Sequence, residues 1–211
     1  MNFPPADSPG RLPGVAPRRT VLSALALGAL ALPALAACAP QDSLAQQASA
    51  GDNKNYIAGD GSVTEYAKGN RSEPVEFKAT TYDGVAVAAS DWRGKPGLLN
   101  VWYAACAPCR AEAPTLVKMA DEFGDKVNFL GINVRDEKAT AQAFERNFKI
   151  PYPSVPDSDG SVLLALSKFV PPQAVPSTII LDKEGRVSAR VIGLAQESVL
   201  RTLLQTVVDE G

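Results

Sequence analysis

Leu98-Leu99-Asn100-Val101-Trp102-Tyr103-Ala104-Ala105-Cys106-Ala107-Pro108-Cys109 decides how this chain of 211 residues is read. Leu98–Trp102 is an almost unbroken apolar run of a length that suits a central strand buried on both faces. A helix should start near Pro108, because a proline in the first helical turn lacks only an N–H that would have no partner anyway. Leu116, Met119, Ala120 and Phe123 continue that helix at helical spacing, and Gly124 stops it. The two cysteines, with two residues between them, therefore sit where a strand hands over to a helix. The first sulfur meets the positive end of the helix dipole and the second is close enough to form a disulfide with it.

In that setting Cys106 is expected to face solvent as the nucleophile, with Cys109 a turn inward as the resolving thiol. A thiol with the ordinary pKa of 8.5 is only about 3% ionised at pH 7, whereas one lowered to about 7 is half ionised. Unpaired helix N–H groups can supply that shift without a histidine, and the chain has none. That absence removes His-dependent triads and His metal sites. Two plainer readings stay open, a structural disulfide and half of a zinc site. Zinc needs four ligands, and neither a histidine nor a second Cys-x-x-Cys is present to supply them.

Working outward, Val75–Ala79 and Val85–Ala88 read as short extended runs joined by the turn Tyr82-Asp83-Gly84. Val127–Val134 is a second central strand, and Ala139 to Phe148 is helical. Pro151, Pro153 and Pro156 then force an irregular passage. A short helix spans Val162–Phe169. The last block is a strand Ser177–Leu181, a turn Asp182–Gly185, a strand Arg186–Ile192 and a helix Glu197–Val208. This order implies an α/β domain with a mixed central sheet and helices on both faces. The alternating apolar positions of Tyr56–Tyr66, around a Gly-Asp-Gly turn, suggest a further small hairpin at the domain edge.

The N-terminus reads as targeting rather than fold. Arg18-Arg19 precede an uncharged apolar run, Val21 to Leu35, which ends in Leu35-Ala36-Ala37-Cys38. This resembles a bacterial lipoprotein signal cleaved before Cys38, whose sulfur and new amino terminus would carry lipid. An uncleaved membrane anchor is the alternative, although the run is shorter than the ~20 residues of a spanning helix. The paired arginines also resemble a twin-arginine export signal. Residues 1–37 are thus expected to be a signal peptide and 38–54 a lipid-anchored tether, poor in apolar residues and reaching about 20–25 Å as a coil. Residues 55–211 form the folded domain. With Cys38 assigned to lipid, Cys106 and Cys109 remain as one pair. The net charge of −2 supplies no basic field for nucleic acid.

Val101-Trp102-Tyr103-Ala104-Ala105-Cys106-Ala107-Pro108-Cys109-Arg110-Ala111-Glu112-Ala113-Pro114, followed later by Val175-Pro176-Ser177-Thr178, resembles the thioredoxin-related TlpA/ResA family from about Pro74 to Val208. The resemblance implies a thioredoxin-like fold with an N-terminal β-hairpin extension, outside the cytoplasm and tethered to the outer face of the cytoplasmic membrane. It implies that Pro176 is the cis-proline beside the disulfide and that the backbone of Val175 pairs with an extended substrate segment. Without it, Pro176 could simply start an edge strand. Glu112 matches a glutamate that members involved in cytochrome maturation keep near the cysteines. As a residue alone, it could equally be an acid placed favourably in the first helical turn, worth about 0.3–1 kcal/mol. Asn100 falls where cytosolic thioredoxins have a buried aspartate. Ala105 departs from the family's usual tryptophan before the first cysteine, which leaves an open surface beside Cys106 that Tyr103 could partly fill. Trp102 reads as core.

The expected activity is thiol–disulfide exchange. The Cys106 thiolate attacks a protein disulfide and Cys109 releases the mixed disulfide, with no cofactor beyond the cysteine pair. The resemblance points to the haem-attachment cysteine pair of apocytochrome c as the target and to a membrane dithiol carrier as electron donor. The same residues could work in reverse as an oxidase or isomerase of secreted proteins. A thiol peroxidase fits less well, since Leu99 and Tyr103 occupy the positions where that group carries a proline and a Thr or Ser ahead of the reactive cysteine. A lipoprotein binding module that keeps the disulfide only as a staple is the non-enzymatic alternative.

Overall fold

The computed structural model describes residues 63–171 and 173–210. The expected signal peptide and tether, with Cys38, and residues 55–62 lie outside the described residues. Among the described residues, eight strands and four α-helices follow in the order β1 (Val63–Glu65), β2 (Lys78–Thr80), β3 (Ala86–Ala88), β4 (Gly97–Trp102), α1 (Ala107–Phe123), β5 (Asn128–Asn133), α2 (Lys138–Phe148), β6 (Ser154–Pro156), α3 (Ser161–Ala165), β7 (Ser177–Leu181), β8 (Val187–Ile192) and α4 (Glu197–Asp209). The main sheet has the strand order β1-β8-β7-β4-β5-β6, and β2-β3 form a separate antiparallel hairpin. β4, β5 and β6 run parallel, while β7, β8 and β1 join by antiparallel pairing. This is the mixed sheet of a thioredoxin-like fold, with the hairpin preceding it.

Every residue of β4 is buried, which is why its apolar run shows no alternation. Its two faces nevertheless pack differently. Leu98 joins Leu116, Met119 and Phe123 of α1 and Leu200 and Leu204 of α4 in one apolar cluster. Leu99 and Val101 join Val162, Leu166 and Phe169, together with Val75 and Phe77 ahead of the hairpin, in another. A third cluster lies at the C-terminal end of β4, where Trp102 meets Phe144 of α2 with ring centroids 4.4 Å apart and both cysteines pack beside them. The strand thus delivers its C-terminal loop to a corner closed by α1 and α2.

Some local expectations differ from what is found. Val63–Glu65 pairs with Ala189–Val191 at the edge of the main sheet, while the other arm of the expected hairpin, 56–61, lies outside the described residues. The proline-rich passage contains β6, which pairs in parallel with β5. An edge strand tolerates proline because one row of its backbone groups needs no partner, and Pro156 ends this one. The helix expected over Val162–Phe169 is only Ser161–Ala165, followed by turns that end at Val170. Asp157 caps that helix by accepting from the N–H groups of Val162 and Leu163, each at 2.8 Å. The early strands are also shorter and later than the runs Val75–Ala79 and Val85–Ala88.

One buried ion-pair cluster ties the beginning of the domain to its end. Arg71, with its side chain 2% exposed, donates to Asp182 at 3.1 Å and to both oxygens of Glu210 at 2.5 and 2.6 Å. Its Nε donates to the carbonyl of Tyr66 at 3.0 Å. Removing one partner of a buried pair costs more than the pair contributes, because the remaining charge has lost its compensation. Asp182 would still keep Arg186 at 2.9 Å. Arg71→Ala is therefore expected to lower the unfolding free energy by about 3 kcal/mol, the low end for a broken buried pair. Urea unfolding reads this directly, and a loss below about 1 kcal/mol would contradict the clamp.

Candidate active site

Cys106 is the N-cap of α1, in extended backbone with φ −71° and ψ 110°. Its sulfur accepts the backbone N–H of Cys109 at 3.1 Å, the position a serine or aspartate oxygen takes in an ordinary cap. The loop from β4 is kept short by the Cys106 N–H donating to the carbonyl of Tyr103 at 3.2 Å. Cys106 and Cys109 form a disulfide of 2.02 Å with their Cα atoms 5.2 Å apart. Contrary to the expectation of a solvent-facing first cysteine, Cys106 is 3% exposed and Cys109 2%. In the oxidised form each sulfur covers the other, and the corner formed by Trp102, Phe144, Tyr103 and Val175 closes around both. Ala105, Ala107 and Pro108 are exposed around them.

The preceding loop is fixed by polar contacts. Asp136 accepts the Ala104 N–H at 2.6 Å and the Asn133 side-chain amide at 2.8 Å on the same oxygen. The guanidinium of Arg135 lies over the Tyr103 ring, 4.3 Å from its centroid. That of Arg110 lies 5.1 Å from the centroid of Phe148. Tyr103 thus carries a cation on its ring and packs at the edge of the disulfide cluster, whereas Ala105 stands clear of that cluster.

The Val175–Pro176 peptide is cis. Val175 packs against the cluster that holds the disulfide, and Pro176 is buried with its carbonyl accepting the Gly193 N–H at 2.8 Å. The strand it leads into, β7, lies between β4 and β8. The alternative that Pro176 merely begins an edge strand is therefore excluded.

Glu112 is not an exposed acid of the first helical turn. It is 1% exposed and projects from α1 into the sheet. One carboxylate oxygen accepts from the Asn100 side-chain amide at 2.8 Å and the other from the Ala195 N–H at 2.9 Å. Asn100 also donates to the Thr178 hydroxyl at 3.2 Å. Burial pushes the Glu112 carboxyl up to about 7, with the Ala195 and Asn100 hydrogen bonds pulling the other way. It follows Cys109 by three residues on α1, so both lie on one face of the helix.

The sequence reading placed Asn100 by position but missed it as a partner of Glu112. A polar residue inside a strand buried on both faces needs a buried partner, and that requirement was the available signal. Thr178 and the Ala195 N–H come from distant elements, and no local pattern marks them. Among the described residues, no group of His, Cys, Asp and Glu is arranged to hold a metal ion, and no helix is long and apolar enough to cross a membrane.

A family model described as AhpC/TSA matches residues 72–190. The thiol:disulfide interchange protein DsbE of Pseudomonas fluorescens biotype C is 34% identical over 137 residues, which are 63% of this chain and 73% of that one. The thiol-disulfide oxidoreductase ResA of Bacillus subtilis strain 168 is 28% identical over 137 residues, covering 64% of this chain and 74% of its own length. Among solved structures, a DsbF homologue from Corynebacterium diphtheriae is similar with a TM-score of 0.61 and 32% identity, over 69% of this chain and 92% of that one.

The buried acid has a consequence for stability. A carboxyl that titrates near 7 when folded and near 4.5 when unfolded holds its proton longer in the native state. Its contribution therefore falls as pH rises from about 4.5 to about 7 and is flat above. The loss amounts to about 3 kcal/mol. The stability difference between wild type and Glu112→Gln, followed by urea unfolding from pH 4.5 to 8.5, is expected to shift by that order against wild type. A difference constant across this range would contradict the assignment.

Proposed function

The chain belongs to the AhpC/TSA family and is a thiol–disulfide oxidoreductase, and from that premise we propose that it reduces protein disulfides outside the cytoplasm. The observation that carries the exchange chemistry is the seat of Cys106, and the resemblance to the TlpA/ResA family supports the reducing direction. Its sulfur caps a helix N-terminus and accepts a backbone N–H at 3.1 Å, a site that stabilises the thiolate formed on reduction.

In the proposed cycle the Cys106 thiolate attacks one sulfur of the substrate disulfide and releases the other as a thiolate. Cys109 then attacks Cys106, closing the pair and freeing the reduced substrate. Glu112, buried one turn beyond Cys109 and titrating near neutrality, sets the electrostatics under which Cys109 ionises. Val175 and Pro176 on one side and Tyr103 and Ala105 on the other would border the groove for the substrate's backbone. The resemblance to the TlpA/ResA family supports the haem-attachment cysteine pair of apocytochrome c as the substrate and a membrane dithiol carrier as the electron source. It also supports a lipid on Cys38 holding the domain at the outer face of the cytoplasmic membrane.

A Cys109→Ser variant, incubated with a peptide whose Cys-x-x-Cys-His cysteines are joined in a disulfide, should accumulate a mixed disulfide through Cys106. Cys106→Ser should accumulate none, and both variants should lose multiple-turnover reduction. Mass spectrometry identifies the adduct. No adduct on Cys109→Ser, or equal amounts on both variants, would overturn the reading.

A further inference from the structure

Cys109 and Glu112 are 2% and 1% exposed, so a proton leaving either one needs a route to water. The space behind the disulfide provides the beginning of one. A cavity of about 10 Å³, the room of a single water molecule, is lined by Cys109, Asn100, Ser154 and Tyr152 among others. On the far side, an open groove of about 580 Å³ runs past the end of α2. Ile150, Tyr152 and Ser154 border both spaces.

Two buried polar atoms with no hydrogen-bond partner mark the line between them, Ser154 Oγ and Glu145 Oε1. Ser154 is itself 3% exposed. Both groups line the groove, where burial raises the Glu145 acid and the Ser154 hydroxyl lowers it. A buried polar atom without a protein partner is costly, so two at one place need an account. Room for the hydroxyl is provided by Gly131, opposite Ser154 across β5 and β6 and opposite Asn100 across β4 and β5. A Cβ at 131 would stand 2.2 Å from Ser154 Oγ and 2.7 Å from the Trp102 indole nitrogen. The hydroxyl thus occupies the place of the missing side chain.

We propose that Ser154 and Glu145 form the route by which the Cys109 proton reaches solvent, through the small cavity behind the disulfide and out into the groove at the end of α2. The inference rests on the reductase reading above. In the resolving step Cys109 gives up its S–H proton, and its electron pair forms the bond to the Cys106 sulfur. The bond from Cys106 to the substrate sulfur breaks, and that sulfur leaves with its pair and is protonated from solvent. The Cys109 proton passes by way of the cavity and the Ser154 hydroxyl to the Glu145 carboxylate, and from there to water. The two cysteines are oxidised to a disulfide and the substrate disulfide is reduced to two thiols. Glu112 does not serve as the exit, since it has no surface of its own and both its oxygens are already held. Tyr82, Asp83, Arg146, Lys149 and Tyr152 share the groove with Glu145, and Asp83 and Arg146 act on its charge in opposite senses. These make Ser154 and Glu145 positioning residues for Cys109.

The test uses the full chain with Cys38→Ser, so that only Cys106 and Cys109 report. Reduced protein is mixed with 5,5′-dithiobis(2-nitrobenzoate) in a stopped flow from pH 5.5 to 9. The first release of coloured thiolate reports attack by Cys106, and the second reports attack by Cys109 on the resulting mixed disulfide. Ser154→Ala and Glu145→Gln should each slow the second release by about threefold to tenfold and move its pH midpoint upward, with the first release unchanged. Ser154→Thr, which keeps the hydroxyl, should restore it. A second release with wild-type rate and midpoint in Glu145→Gln, whose side chain borders an open groove and whose change is isosteric, would overturn the route whether or not Ser154→Ala folds. Absence of the first release in the unsubstituted background would overturn the reductase reading instead.

Discussion

The buried carboxylate of Glu112 is the constraint around which the site is arranged. An acid with 1% exposure has no water to solvate it, so its oxygens must find donors within the fold. They find Asn100 on β4 and the Ala195 N–H ahead of α4, while Asn100 also reaches Thr178 on β7. Helix, two central strands and a loop meet at one group, which fixes the roll of α1 on the sheet. Since α1 carries Cys106 at its N-cap and Cys109 in its first turn, the same hydrogen bonds set where both sulfurs lie. A partly satisfied network would be worse than an apolar core, so the members stand or fall together.

The two sulfurs consequently experience different surroundings. Cys106 sits at the positive end of a seventeen-residue helix and accepts an N–H, whereas Cys109 is enclosed by Trp102, Ala113 and Phe144. An ionised sulfur is stabilised at the first place and costly at the second. The division into attacking and resolving thiols follows from position rather than residue type. Around the closed pair, Arg110 and Arg135 rest on aromatic rings and Ala105 is exposed.

Much of this was legible in the chain because local signals agreed with the global fold. Leu98–Trp102 suited a doubly buried strand, Pro108 set the start of α1, and the turn at Asp182–Gly185 joined two strands. The weaker readings share a cause. Val63–Glu65 pairs with a strand more than 120 residues later, and nothing in its own alternation says so. Ser154–Pro156 becomes a strand only because β5 has a free edge, which overrides the prolines. Glu112 could be read as a group kept near the cysteines or as an acid placed favourably in the first helical turn. Its burial is decided by Asn100 and by a loop 83 residues away. Cys106, expected to face solvent from its place at a helix start, is closed off in the oxidised pair.

The central claim is that this cysteine pair works as a reductant, with the helix cap making Cys106 the attacking thiolate rather than setting the direction of exchange. The reduction potential of the Cys106–Cys109 disulfide, measured by equilibrating the purified chain against a dithiol buffer series at pH 7, tests it most directly. The account predicts a value near or below about −230 mV, and a value above about −150 mV would contradict it and point to an oxidant.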